Sequence, residues 1–342
     1  MSTVGHESQE LTVVPAAVVS RILEGLGKEG AGIVETVYRQ AARGELVNPD
    51  SLFLRPDPSD RRRAIALPAY VAGETPAMGL KWISSFPGNL ERGLPRASAL
   101  ITLNDVATGF PRAVLEGARI SAFRTALSAT VGARALRGGD LAIRRMAVVG
   151  TGYIADATVK AMAEQGWRCS SVAVHDLDEE RARSFAASHT HGITDTVTVQ
   201  RTLRATLEDA DLVLFATTAV EPYVGEADWF CPGAVVLHMS LRDLKPAAMA
   251  GAEHIVDEVS HALREKTSLA LALDEGIVQR ADITNIGDHL DGRIRRNPGK
   301  TAVYAPFGLG SLDIAVAALV LQRALGNEGV ITVPDFSGAS TR

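Results

Sequence analysis

The sequence predicts an α/β chain of two domains, one a doubly wound parallel sheet and the other an α+β domain completed by a C-terminal helix. Three observations carry this. From Arg145 onward, short apolar strands alternate with helical segments, as in successive β-α-β units. Before that point, short extended runs follow one another across clusters of Pro, Gly, Asn and Asp, which reads as an antiparallel sheet. Beyond the last strand, a helix from about Leu312 to Leu325 is placed to cross back onto the first domain.

Taken in order, Pro15–Arg43 carries Val18, Val19, Ile22, Leu23, Leu26, Ile33, Val34, Val37 and Tyr38 at helical spacing. It reads as two helices broken near Gly27–Gly32. Extended runs follow at Ser51–Leu54, Ala64–Tyr70, Ala77–Ser84 and Ser98–Asn104, and Ala113–Leu136 reads as one or two connecting helices. The alternating region has strands at Arg145–Val149, Ser171–His175, Ala210–Ala216, Ala234–Met239 and Glu253–Val256, with helices at Ala155–Gln165 and Glu179–Ser188. The domains implied are 1–130 with 311–342, and 131–310. Both ends, Met1–Glu10 and Asp335–Arg342, are small and polar and are expected to be loose.

Bulk composition narrows the function. With 46% hydrophobic and 22% charged residues, the chain can bury a full core without disulfides. The formal net charge is −5, so no basic excess draws nucleic acid or an anionic membrane surface. Cys169 and Cys231 match no zinc or redox spacing and read as reduced thiols. No apolar leader opens the sequence, and the longest apolar stretch, Ile314–Leu321, is too short to span a bilayer, so the cytoplasm is the expected location.

The apolar strand Met146–Val149 runs directly into Gly150-Thr151-Gly152-Tyr153-Ile154-Ala155. Gly150 permits the tight turn, Gly152 lets backbone N–H groups approach a pyrophosphate, and Ala155 is small enough for close helix–strand packing. The next strand ends at Asp176, 24 residues after Gly152, near the spacing of about 20 for the acid that accepts from the adenosine ribose. Strand, loop, helix and acid together make a Rossmann dinucleotide site. A carboxylate there repels a 2′-phosphate, which favours NAD over NADP. Thr217 and Thr218, after the strand Leu212–Ala216, emerge at the carboxyl edge, where they either bind the nicotinamide ribose or are ordinary turn hydroxyls.

Cations of the first domain suggest a substrate. Lys81, inside an apolar strand, either faces solvent or turns into a cleft suited to acid–base work. Arg124, among small apolar residues, needs an anion, either an internal acid or a substrate carboxylate. Arg55 and Arg96 flank strands and are surface charges or further carboxylate ligands.

The runs Gly79-Leu80-Lys81-Trp82, Gly93-Leu94-Pro95-Arg96, Phe123-Arg124-Thr125-Ala126 and Gly150-Thr151-Gly152 resemble the ornithine cyclodeaminase/μ-crystallin family over nearly the whole chain. The resemblance implies a homodimer whose N-terminal sheets pack together, and a substrate held against the nicotinamide by lysine and arginine. Longer runs at 81–89, 91–98, 240–244 and 306–313 are similar to the branch of N-(2-amino-2-carboxyethyl)-L-glutamate dehydrogenases, which serve 2,3-diaminopropionate supply in siderophore and antibiotic biosynthesis. Ser240 stands where cyclodeaminases place a catalytic aspartate, with Asp243 three residues on. That branch implies NAD-dependent cleavage of a three-carboxylate secondary amine. Arg55, Arg96, Ser98, Arg124 and Arg242 would bind substrate and Lys81 would be catalytic. Thr125, Ser240, Phe307 and Gly308 would join the loop residues on the cofactor. For Arg242 a salt bridge to Asp243 is the alternative, and for Asp313 a favourable helix-start charge. A cyclodeaminase, an alanine- or imine-type dehydrogenase and a non-catalytic binder stay open at this point.

Overall fold

The computed structural model describes residues 10–57, 61–188, 190, 192–263 and 265–338. The looseness expected of 1–9 and 339–342 lies outside them. In chain order the elements begin β1 (Leu11–Val14), α1 (Ala16–Leu23), α2 (Gly27–Ala42), β2 (Leu52–Leu54), β3 (Arg63–Val71), β4 (Ala77–Ser85), β5 (Ala97–Asn104), β6 (Pro111–Glu116) and α3 (Gly117–Leu136). There follow β7 (Ala142–Val149), α4 (Tyr153–Gln165), β8 (Arg168–His175), α5 (Glu179–Ser188), β9 (Val197–Val199), α6 (Leu203–Leu207), β10 (Leu212–Phe215) and β11 (Val235–His238). The rest are β12 (Glu253–Val256), α7 (Val259–Ala262), α8 (Ser268–Asp274), β13 (Ile283–Asn285), α9 (Ile286–Leu290), β14 (Ala302–Tyr304), α10 (Gly310–Ala324) and β15 (Ile331–Val333). They form two compact units, the first of residues 1–25, 45–121 and 310–342, the second of 26–44 and 122–309. This differs from the expected division mainly in residues 26–44, which belong to the second unit.

The first unit is a seven-stranded sheet in the order β15-β1-β6-β5-β4-β3-β2. All neighbours are antiparallel except β1 and β6, so the sheet is mixed rather than antiparallel throughout. Three of its strands were not expected: β1, β6 and the three-residue β15 at Ile331–Val333. β1 is only four residues long, and β6 lies in a stretch read as the start of a helix. Helix α10 packs on β3, β4, β5 and β6. It is apolar nearly all round, as befits a helix at the centre of a core. Alternation along β4 puts Gly79 and Lys81 on the buried face, in register with Ala69 and Leu67 of β3 and with Leu103 and Ile101 of β5. A Cβ at Gly79 would lie 2.1 Å from the Thr102 carbonyl oxygen of β5 and 3.1 Å from Ile314 Cδ1 of α10, so the glycine is required first by the neighbouring strand and then by the helix on the sheet. Leu80, Trp82 and Leu100 lie on the opposite, more open face.

The second unit is an eight-stranded, wholly parallel sheet in the order β13-β12-β14-β11-β10-β7-β8-β9. The central strands β10 and β11 are fully buried runs of Leu, Val and Phe with one His, as a sheet covered on both faces requires. From β7 the chain winds outward through β8 and β9, then returns to β10 on the other side of β7. The strand order therefore reverses between β7 and β10, and loops leaving their carboxyl ends flank a ligand-binding crevice. The expected helix break at Gly27–Gly32 is corrected: α2 runs through these glycines, and the break falls at residues 24–26, where Gly25 has φ +79°. Gly30 is a packing position instead, since a Cβ there would lie 2.6 Å from Leu127 Cδ1 and 2.9 Å from Phe123 Cε1. Among the described residues no helix is long and apolar enough to cross a membrane. Cys169 and Cys231 form no disulfide, and burial pushes the Cys169 thiol up to about 12, leaving it unreactive.

Candidate active site

The phosphate loop is built where the sheet reverses. Gly150, at the end of β7, has φ +85°, and a Cβ there would lie 2.8 Å from Ala216 O and 3.0 Å from Thr217 Cγ2. Conformation and the crowding of the neighbouring loop both demand glycine. Gly152 is the N-cap of α4, and a Cβ on it would meet nothing nearer than Arg181 Nη2 at 4.0 Å. Open space before a helix N-terminus suits an anion approaching backbone N–H groups, so these residues fit the pyrophosphate of a dinucleotide. Ala155 is buried against the sheet, whereas Tyr153 is exposed and Thr151 and Ile154 are half-buried. Asp176, just past β8, accepts from the Thr151 N–H at 2.8 Å and the Thr151 hydroxyl at 2.7 Å on Oδ2, and from the Asp178 N–H on Oδ1. Burial pushes its carboxyl up, but these bonds outweigh burial and hold it below the usual range.

The loops after β10, β11, β12 and β14 carry a second group of polar residues. Thr217 and Ser240 both donate their hydroxyl protons to Asp243, which is fully buried. Thr218 is exposed beside them. Arg242 does not pair with Asp243; its Nε donates to the Lys266 carbonyl, which ties down the 240–245 loop. Asp257, past β12 and also buried, accepts the backbone N–H groups of Phe307 at 3.0 Å, Gly308 at 2.5 Å and Glu258 at 2.9 Å. It thereby fixes the turn before α10. Burial pushes its carboxyl up. Gly308, at φ +103°, lies under Arg124: a Cβ on it would be 2.9 Å from Arg124 Nη1. The structure thus brings Arg124 and Gly308 together, with half-buried Thr125 next to Arg124 on α3. Behind them, Tyr38, Ser128 and Tyr304 close a buried ring of three hydroxyls at 2.5, 3.1 and 2.9 Å.

In the first unit, Lys81 does not face solvent. It is 2% exposed, and its Nζ donates to Asp313 Oδ2 at 2.6 Å and to Ser121 Oγ at 3.2 Å. Asp313, in the first turn of α10, is fully buried. It is therefore a partner of the lysine as well as a charge at a helix start. Arg96 is half-buried, and burial together with the neighbouring Arg61 guanidinium pushes it below its ordinary value. Among the described residues neither Arg61 nor Arg96 has a carboxylate partner. Arg55 is exposed and stacks over the Phe53 ring at 5.0 Å. Ser98 is exposed on the open sheet face: strand alternation gives it the parity of Leu100, opposite to that of Lys81, so it is not brought to the lysine.

Asp257 escaped the sequence reading. An acid closing the apolar strand His254-Ile255-Val256 was the available signal, but its partners lie about 50 residues on.

Comparison with known proteins agrees with this geometry. The model of the ornithine cyclodeaminase/mu-crystallin family matches residues 16–328. The chain is similar to N-((2S)-2-amino-2-carboxyethyl)-L-glutamate dehydrogenase of Staphylococcus aureus, 28% identical over 292 residues, which are 83% of this chain and 86% of that protein. Among solved structures it is similar in fold to Δ(1)-pyrroline-2-carboxylate reductase of Thermococcus litoralis, in complex with NADH and L-proline. That match has a TM-score of 0.82 and 23% identity and covers 92% of this chain and 97% of the other. An archaeal alanine dehydrogenase dimer with bound NAD gives a TM-score of 0.82 at 23% identity, covering 95% and 99%.

Proposed function

The chain belongs to the ornithine cyclodeaminase/mu-crystallin family, and from that premise we propose that it is an NAD-dependent dehydrogenase of an amino-acid C–N bond. Its substrate is N-(2-amino-2-carboxyethyl)-L-glutamate, cleaved to L-2,3-diaminopropionate and 2-oxoglutarate in the cytoplasm, for siderophore or antibiotic biosynthesis. The observation that carries the oxidoreductase reading is the meeting of Gly150, the open N-terminus of α4 and Asp176 where the sheet order reverses. The substrate reading is supported by the Staphylococcus aureus relative and by Arg61 and Arg96, like charges adjacent to one another that call for an anion.

Gly150 to Ile154 would hold the pyrophosphate and Asp176 the adenosine ribose. Thr125, Thr217, Thr218, Ser240, Phe307 and Gly308 would line the nicotinamide half. When bound, NAD⁺ accepts the hydride lost from the glutamate α-carbon, and hydrolysis of the C=N bond left in the substrate gives the two products. Arg96 and Arg124 bind carboxylates and so orient that carbon. Arg55 and Arg242 would assist at the margins. Lys81 holds a proton at Nζ, shared with Asp313, and exchanges it with the substrate as the C–N bond breaks. A cyclodeaminase needs a free carboxylate near position 240. Ser240 is none, and the lone pairs of Asp243 are occupied. The half-open sheet face with Leu80, Trp82 and Leu100 is the surface through which two copies would pair as a homodimer.

Incubating the protein with NAD⁺ and the substrate should yield NADH and 2-oxoglutarate in equal amounts. Absence of both would overturn the substrate assignment. NADH formed from L-alanine instead would move the reading to a simpler amino-acid dehydrogenase.

A further inference from the structure

Four side chains converge on the buried carboxylate of Asp243. Its Oδ1 accepts from the hydroxyls of Thr217 and Tyr223, the latter at 2.8 Å. Its Oδ2 accepts from the Ser240 hydroxyl and lies 2.9 Å from His238 Nε2. An ionised carboxylate is an acceptor only, with about four lone-pair sites. With His238 in the tautomer protonated at Nε2, the four groups fill it, and the longer approach of the Asp243 N–H to that nitrogen, 3.3 Å, is not a hydrogen bond in this tautomer. Burial pushes the carboxyl up, yet the bonds from His238, Ser240 and Thr217 more than offset this and hold it below the usual range.

The proton count then decides what the site can recognise. A hydroxyl has one proton, and ordinarily a serine or threonine rotates to donate or accept as its partner demands. Here the protons of Thr217 and Ser240 are committed inward. Thr217 Oγ1 also accepts the Ala219 N–H at 3.2 Å. Toward the carboxyl edge of β10 and β11 both residues, half-buried, present lone pairs. Thr217 also adjoins the phosphate loop, since its Cγ2 is 3.0 Å from where a Cβ of Gly150 would stand.

We infer that Asp243 is a positioning residue that fixes Thr217 and Ser240 as hydrogen-bond acceptors for the donor groups of the cofactor's nicotinamide half, its ribose hydroxyls or its carboxamide NH₂. The inference rests on the NAD reading above. Asp243→Asn keeps the shape but turns an NH₂ toward two of the four donors, so hydroxyls must rotate and expose protons instead.

Calorimetric binding of NADH, ADP-ribose and ADP tests it. Asp243→Asn should weaken NADH about thirtyfold, the loss of two ordinary hydrogen bonds. ADP, which lacks the nicotinamide half, should bind unchanged. ADP-ribose keeps the second ribose without the carboxamide, so weakening there assigns the ribose hydroxyls, and no weakening there assigns the carboxamide. The variant Thr217→Val/Ser240→Ala should match Asp243→Asn, and adding Asp243→Asn to it should cost less than a further twofold. A merely structural aspartate would give additive losses and weaken ADP as well, and that result overturns the inference. Unchanged NADH binding in both variants also overturns it while leaving the NAD reading intact. A wild-type protein that binds no NADH overturns that reading itself. If Asp243→Asn fails to fold, the Thr217→Val/Ser240→Ala variant decides alone.

Discussion

The two units bury their carboxylates in different company. In the first, Asp313 meets a cation, the Lys81 ammonium, at 2.6 Å. In the second, Asp257 is bonded by three backbone N–H groups, and Asp243 by three hydroxyls and an imidazole. An ammonium beside a carboxylate carries a proton that can move, and its charge balance changes with whatever enters the site. A carboxylate saturated by weak acids has no proton to give and no lone pair to take one, so it fixes geometry. Under the proposed function the difference implies a division of labour: proton exchange would belong to the first unit, and the second would hold shape and cofactor contacts.

The largest test of that division is Lys81→Met. It should lower turnover about a thousandfold, within the range of a lost general acid–base group, while NADH affinity stays within twofold. It should also cost about 3–5 kcal/mol in chemical denaturation, because the buried Asp313 carboxylate loses its ammonium partner. Lys81→Met/Asp313→Leu should recover most of that stability and none of the turnover. Turnover that survived in the double variant would break the comparison at its centre.

A smaller effect sharpens the second half of the comparison. His254, on β12, is buried with no partner at Nδ1 among the described residues, and burial pushes it down to about 4. Unfolded, it titrates near 6.5. Its folded value is the lower one, so the neutral imidazole stabilises the fold above 6.5, and that contribution is lost as pH falls from 6.5 through 4. The loss is about 3 kcal/mol. Denaturation free energies of His254→Gln should be flatter over this window, and an unchanged slope would assign the acid sensitivity elsewhere. Smaller again is Gly150→Ala. With φ +85° and Ala216 O at 2.8 Å from the new Cβ, it should cost about 2 kcal/mol of stability. It should weaken NADH binding while leaving the Lys81–Asp313 pair untouched.

The phosphate loop was legible because its constraints are local: an apolar strand, two glycines and an acid within about thirty residues. Five strands of the parallel sheet, β7, β8, β10, β11 and β12, were legible for the same reason, whereas β9, β13 and β14 are three residues each and too short to show a pattern. What escaped depends on partners far along the chain. Alternation told that Lys81 opposes Leu80 and Trp82, but the face that is buried is chosen by α10, which packs on β3 and β4. Strand β1 is four residues between a polar decad and a helix, and only pairing with β6 and β15 makes it a strand. The glycines of α2 looked like a break because nothing in the segment shows that Phe123 and Leu127 press against Gly30.

Lys81 and Asp313 are 232 positions apart, with the whole parallel sheet between them. During synthesis the early strands therefore emerge without the helix that covers them, and the lysine must wait in water for its counter-ion. At a ribosome adding about 5–20 residues per second, that wait lasts tens of seconds at most. A nascent first unit would be a hydrophobic sheet lacking its lid and an edge strand, a natural client for chaperones. The ion pair would form in one late step, when α10 docks on the sheet, so a chain terminated before α10 would yield a protein without that pair.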